Sequence, residues 1–411
     1  MGRCIGMDIH RDFAQVAVVE NGLLRDEGRV DCRPRQLREW AQTLRPDDQI
    51  ALEATANSAA IAVLLEQHVA RVVISNPVKT RAIAEAKVKT DKVDARILAQ
   101  LLAADFLPGT WLPDEHTRML RRVTMRRAHL VRQCTRAKNQ IHSVLHRNLL
   151  PRPPVSDLFG RAGRAWLGVQ TLPADEQSTV QALLRQLDFQ QNELAAVERE
   201  LAADALGDPT VRRLMTIPGV DAITGITLLA AVGDFGRFPS AGQLVSYFGL
   251  NPKVRQSGGL PAQHGHITKA GRTQARAVLV EAAFAAARGP GPLRAFYRRI
   301  AARRGTQIAL VATARKLAVL SWHLVTKQQD YAFARPSLVA FKQRKLELTA
   351  GLPTAHGNHR GAGYAYNKKE LRAQERAIAE QAERAYQVLI SRWQPVPTGK
   401  STQLPAIPGQ P

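Results

Sequence analysis

Residues 3–20 read RCIGMDIHRDFAQVAVVE, two apolar runs held apart by only His10-Arg11-Asp12. Short apolar runs bounded by polar residues read as buried strands, and a link this short keeps them neighbours. The strands are expected over residues 3–9 and 13–20, with a third near Gly28–Cys32. Pro34 suits a first helical turn, so a helix is expected from there to Leu44. QIALEAT (49–55) is a strand, Ser58 to His68 an apolar helix, and RVVIS (71–75) a strand stopped by Asn76-Pro77. Strands that first follow one another and then alternate with helices indicate an α/β domain with a mixed sheet, ending near Pro108.

The rest of the 411-residue chain reads differently. Residues 116–150 hold nine Lys+Arg and no Asp or Glu at helical spacing, which suggests a phosphate-backbone partner. Val180, Leu183, Leu187, Gln190, Leu194, Val197 and Leu201 form a heptad seam with one polar position. This second long helix, from about Glu176 to Ala203, is expected to pair with the first as an antiparallel hairpin or between subunits. A helical region follows from about Asp208, interrupted by a Gly/Ser/Pro-rich loop at 249–265. Beyond Arg335 the composition loosens into a linker at 351–367, a charged helix over 367–393 and a Pro-rich end. The expected domains are 1–107, 108–207, 208–335 and 336–411.

Composition narrows the function classes. Lys+Arg number 58 against 35 Asp+Glu, a net charge of +23 that points to a polyanion, nucleic acid first. Aromatics are 5%, which disfavours an aromatic platform for single strands. Cys4, Cys32 and Cys134 are too few and too scattered for a disulfide scaffold or a thiolate zinc site, and fit a reducing cytoplasm. The longest apolar segment, Ala222–Val232, is too short to span a bilayer, and the N-terminus does not read as a signal peptide.

Four acids stand out. Asp8 lies inside the first buried strand, where a carboxylate is costly unless paired or bound to metal. Glu53 sits at the end of the strand in ALEAT. Asp91 and Asp94, in KTDKVDAR, share one face of a helix at three-residue spacing. An edge position or ion pair for Asp8, and a capping role for Thr90 or Asp91, are the plain alternatives. Together the four form an oxygen-ligand set suited to Mg²⁺ or Mn²⁺. Two such ions about 4 Å apart can clamp both oxygens of a phosphodiester displacement.

The order Asp8, Glu53, Asp91, Asp94 resembles the DEDD set of the insertion-sequence 110 family of transposases, which includes the Piv-type invertases. The resemblance implies a RuvC-like, RNase H-like first domain. Ala56 stands where the family often has glycine, which bears on the turn and not on the metal. Leu214–Val232, LMTIPGVDAITGITLLAAV, has the shape of a helix-hairpin-helix. Asp221-Ala222 replaces the family's usual Gly-Pro, and the added charge speaks against phosphate contact at that turn.

FPSAGQLVSYFGLNPKVRQSGG and HGHITKAGRTQARAVLVEAA resemble the family's C-terminal transposase domain. Carried over, the serine nucleophile is Ser257, with Arg255, Lys269 and Arg272 as nearby cations. Ser246 is the competitor, expected to be packed in an apolar helix. His264 and His266 lack the spacing of a helical zinc pair, so loop or phosphate contact fits them better. The resemblance further implies DNA strand cleavage and rejoining at element ends and target, a structured guide RNA, and a dimer or tetramer. Arg121, Arg122, Arg126 and Arg127 are expected to contact nucleic-acid backbone. Two alternatives remain open: a junction resolvase or nuclease that needs only the acids, and a DNA-binding protein with an inactive nuclease fold.

Overall fold

Alternation along the first strand decides the architecture of the N-terminal unit. In the computed structural model, which describes residues 2–84, 90–258, 260–353 and 368–392, β1 (Cys4–Ile9) is the third strand of a six-stranded sheet. It pairs antiparallel with β2 (Phe13–Glu20), which pairs antiparallel with β3 (Leu23–Asp31). On its other side β1 runs parallel to β4 (Gln49–Leu52), and β4 parallel to β5 (Arg71–Ser75). The short β6 (Gly109–Thr110) closes the edge antiparallel to β5. The order is β3-β2-β1-β4-β5-β6, a mixed sheet as the sequence indicated.

Residues two apart share a face. Ile5, Met7 and Ile9 turn toward α1 (Pro34–Ala41) and α2 (Ser58–Leu65), where Leu37, Ala41, Ile61 and Leu65 complete the larger core. The opposite face of the sheet receives α4 (Asp91–Ala103), after the short α3 (Pro77–Ile83). Ala95 and Ala99 of α4 pack with Ala17, and Leu98 and Leu102 with Ala51 and Val73. Gly6 permits the close approach: a Cβ there would lie 2.1 Å from the Ala95 carbonyl oxygen and 2.5 Å from the Ala99 nitrogen. Small residues on both sides thus bring the helix backbone down onto the strand. Several elements differ at their ends from the sequence reading. β3 is longer, since a bulge between Val16 and Ala17 carries the pairing back to Leu23. β4 stops at Leu52 and α2 at Leu65.

Residues 1–114 and 115–411 are the two compact units of the chain. The second is built on α5 (Glu115–Arg147) and α7 (Ala174–Gly207), with α6 (Arg161–Gly168) between them. Leu120 and Leu130 pack with Val197 and Leu201, and Cys134 and Ala137 with Leu187. Residues early in α5 therefore meet residues late in α7, the antiparallel hairpin. Gln190, the polar position of the seam, is 4% exposed, and its Oε1 has no hydrogen-bond partner among the described residues.

Beyond the hairpin come α8 (Pro209–Leu214), α9 (Ala222–Val232), α10 (Ala241–Tyr247), α11 (Thr273–Arg288), α12 (Pro292–Arg304) and α13 (Thr306–Thr326). α9 is apolar all round and buried on nearly every side. α13 is long and apolar enough to cross a membrane by length and composition, although Arg315 and Lys316 interrupt its apolar run. Its Ala314, Leu317, Ala318 and Leu324 lie in the main core of this unit.

The segment after Arg335 is less loose than its composition suggested. α14 (Pro336–Thr349) buries Leu346 against Leu201 and Val211's cluster, and Lys342 Nζ donates to the carbonyls of Met215 and Ile217 at 2.7 and 2.8 Å. α15 (Lys369–Arg392) is tied down by Glu383, which accepts from Arg294 and from the Gly291 amide. Most of the expected linker (354–367) and the Pro-rich end lie outside the described residues.

The Gly6 contact predicts that Gly6→Val separates α4 from the sheet. Overpacking of this kind costs about 1–3 kcal/mol, so the urea midpoint of the N-terminal unit's transition should fall; an unchanged midpoint would mean that the contact is not tight.

Candidate active site and metal centre

Asp8 follows Gly6 on the α4 face of β1, and Glu53 follows Ala51 onto the same face just beyond β4. The β1–β4 register sets Met7 beside Leu52, and the Glu53 amide donates to the Met7 carbonyl at 3.2 Å. The chain thus delivers two acids side by side at the strand ends. α4 delivers two more from its first turn. Thr90 caps it, its hydroxyl accepting from the Val93 amide at 3.3 Å, so Asp91 is the first helical residue and Asp94 sits one turn on.

Asp8 is only 3% exposed, and among the described residues no lysine or arginine lies within ion-pair distance of it. Burial is the main cause that pushes its carboxyl up to about 8. A hydrogen bond shared with Glu53 and the charges of Glu53, Asp94 and Asp91 push the same way. Asp48, another buried carboxylate of this sheet, shows the opposite solution. Burial would raise it, but Arg3 donates to both its oxygens at 3.0 and 2.6 Å and the Arg45 amide donates at 2.8 Å, and it ends below the usual carboxylate range.

His10, in the polar link between β1 and β2, completes the group. His10 Nε2 lies 3.3 Å from Asp8 Oδ2 and 3.2 Å from Asp91 Oδ2, yet is buried without a properly aligned hydrogen bond. Ligand atoms of Asp8, His10 and Asp91 all fall within 4.8 Å of one another. A buried acid with no cation partner among the described residues, a neighbouring acid hydrogen-bonded to it and an orphaned imidazole nitrogen form a donor set that a divalent cation fits. The only sequence signal for His10 was its place one residue past the strand end.

Ser257 lies in the second unit. The expected loop at 249–265 is in fact a β-hairpin, β7 (Pro252–Arg255) with β8 (Gln263–Ile267), which polar composition had hidden. Ser257 is exposed at its tip beside Gly258, whose φ is +57°; Gly259 lies outside the described residues. Arg255 on β7 and Lys269 and Arg272 beyond β8 are exposed. Lys269 and Arg272 precede α11, which begins at Thr273. Arg272 Nε donates to the Tyr247 hydroxyl at 2.8 Å. His264 and His266 are exposed on β8. Ser246, expected to be packed, is exposed on α10 because the buried side of that short helix is formed by Leu244 and Val245. Asp221 caps α9 and accepts from the Thr224 amide at 2.8 Å, so a side chain already occupies the turn's anion position.

The basic helix α5 has acidic partners, one at its own first residue and two on α7. Arg122 pairs with Glu115, Arg126 with Glu193 and Arg127 with Glu198, each at 2.7 Å. Arg121 is half-buried and donates to the Ala230 and Ala231 carbonyls at 2.8 and 2.9 Å, capping the C-terminal end of α9; burial, with Arg272 nearby, lowers its guanidinium to about 10. The exposed cations of α5 without a carboxylate partner among the described residues are Arg132 and Arg136.

Comparison with known proteins bears on both units. Residues 5–148 match the profile of DEDD transposases of the IS110 type, and residues 211–298 match the profile described as Transposase IS116/IS110/IS902 family. The chain belongs to the IS110 family of transposases. It is similar to the Sinorhizobium fredii protein y4qE, 32% identical over 203 residues, a match covering about half of either chain (48% of each). A transposase for insertion sequence element IS1328 of Yersinia enterocolitica is 24% identical over 337 residues, 79% of this chain and 96% of that one. The pilin gene-inverting protein of Moraxella bovis is 27% identical over 270 residues, 64% of this chain and 75% of that one. The DEDD family implies a divalent metal, and the donor set described above fits one.

The raised Asp8 carboxyl carries a sign. Its folded value lies above the unfolded one, so its contribution to stability is full below pH 4, the unfolded range, and is lost as pH rises through about 8. Melting temperatures of the metal-free wild type, relative to Asp8→Asn, should therefore fall between pH 5 and pH 9, and added divalent metal should reverse the fall. A pH-independent difference would contradict the assigned environment.

Proposed function

We propose that this protein is a DNA transposase or site-specific recombinase that cleaves and rejoins strands through a serine nucleophile aided by a divalent metal centre. The observation that carries the reading is the buried Asp8, with no lysine or arginine partner among the described residues, amid Glu53, Asp91, Asp94 and His10. On this reading residues 1–107 form a RuvC-like domain, a reading supported by the strand order with its antiparallel β3-β2-β1 and parallel β1-β4-β5. Residues 108–207 form a basic helical arm, 208–335 carry the serine hairpin, and 336–411 extend the C-terminal end.

Mg²⁺ or Mn²⁺ would be held by Asp8, Glu53, Asp91 and Asp94, with His10 as a nitrogen donor; the metal supplies stabilisation of charge on the phosphoryl oxygens. Ser257 Oγ attacks the DNA phosphorus, its proton passes to a base, and the sugar oxygen leaves with a proton. The phosphodiester energy is kept in the serine ester for rejoining. Arg255, Lys269 and Arg272 stabilise the anionic phosphate. The resemblance extends the reading to a guide RNA, to a dimer or tetramer, and to element ends and target as DNA partners. Arg132 and Arg136 are the cations of the arm most open to either backbone, while Arg122, Arg126 and Arg127 become available only if their ion pairs exchange for phosphate.

Ser257→Ala should abolish strand exchange and the protein–DNA adduct while leaving DNA binding intact, and Asp94→Asn should do the same. Strand exchange at the normal rate by Ser257→Ala would sink the serine assignment and favour a nuclease that uses only the acids. Replacing Arg132 and Arg136 by Gln should weaken binding to all sequences and reduce the salt slope by about one per lost phosphate contact; an unchanged slope would remove the arm from the interface.

A further inference from the structure

A concave site lies in the C-terminal unit, with no residue of the serine hairpin among its described lining. The cavity has a volume of about 560 Å³ and is bounded by the 218–223 turn, the end of α11, α14 and α15. Arg288, Arg335, Lys342, Lys345 and Arg376 line it. Asp221 is the one acid among the described lining residues, and its carboxylate is committed to capping α9. Arg288, Arg335 and Lys345 have no carboxylate partner among the described residues. Lys342 uses two of its three donors on the Met215 and Ile217 carbonyls, which leaves one for a ligand. The floor is apolar, with Ile223, Leu338 and the ring of Phe341. The walls from α14 and α15 lie outside the regions matched by the family profiles, which end at residue 298.

We propose that this cavity binds a single unstacked nucleotide of a bound nucleic-acid strand, its phosphate held by Arg288, Arg335 and Lys345 and its base against Phe341. The proposal rests on the reading of the protein as acting on nucleic acid. Its volume falls in the range of small-ligand sites, well beyond what an inorganic anion needs. Unpaired cations around an apolar, aromatic floor match a phosphate joined to a flat base, the combination that single-strand sites use. Stacked bases of a duplex cannot enter a concave site, so single strands are selected over duplex.

The test uses the full-length protein and two fluorescent probes, a short 5′-phosphorylated single-stranded DNA and a blunt duplex of the same sequence, followed by anisotropy. Arg288 and Lys345 are exposed, so the double variant Arg288→Glu/Lys345→Glu should keep the wild-type melting temperature. It should bind the single strand about tenfold more weakly while duplex affinity stays within about twofold. Phe341→Ala should show the same selectivity with no change of charge. Single-strand affinity equal to wild type, equal losses on both probes, or binding of polyglutamate in place of the oligonucleotide would each overturn the proposal. Binding requires no strand transfer, so a protein inactive in recombination would count against the proposed function without changing this result.

Discussion

The contact between α4 and β1 at Gly6 is what the candidate centre depends on. A side chain at that position would meet the backbone of α4, and the helix would have to stand off from the sheet. Without one, Ala95 and Ala99 seat directly over the strand, and the first turn of α4 hangs over its C-terminal end. Asp8 is two residues beyond Gly6 and faces the same way, so the close approach and the assembly of acids are one geometric event. The arrangement places acidic residues at the start of a helix, where the dipole favours them, which offsets part of the repulsion among them.

Two buried carboxylates in one sheet separate structure from function. Asp48 is neutralised by Arg3 and joins the starts of β1 and β4 as an internal tie. Asp8 lies toward the other end of β1 and meets two further aspartates, a glutamate and an imidazole nitrogen without an aligned hydrogen bond. Among the described residues no basic side chain offsets the cost of holding it there. Such a cluster is costly in the absence of a counter-ion and favourable with one, so cation binding and folding of this unit are coupled.

Much of this was legible in the sequence where the signal was local. Short apolar runs set the strands, and the heptad seam set a helix pairing, of which the hairpin of α5 and α7 was one of two forms expected, because both signals lie among neighbouring residues. Asp8, Glu53, Asp91 and Asp94 could be singled out because a carboxylate in an apolar run, or two at helical spacing, is visible without a fold. His10 was not, since its role depends on a helix that begins some eighty residues later. The pairing of Arg126 with Glu193 and Arg127 with Glu198 was hidden for the same reason: the acids sit on the other helix of the hairpin. β7 and β8 were missed because an exposed two-stranded ribbon has no buried face to impose alternation, and QHGHI carries none.

Manganese binding followed by electron paramagnetic resonance tests the metal centre most directly. Wild type and Ser257→Ala should bind Mn²⁺ alike, with the signal of the free ion depleted to the same extent, while Asp8→Asn should leave the ion free in solution. Undiminished Mn²⁺ binding by Asp8→Asn would contradict the account, since the buried acid around which the other ligands gather would then not hold the metal.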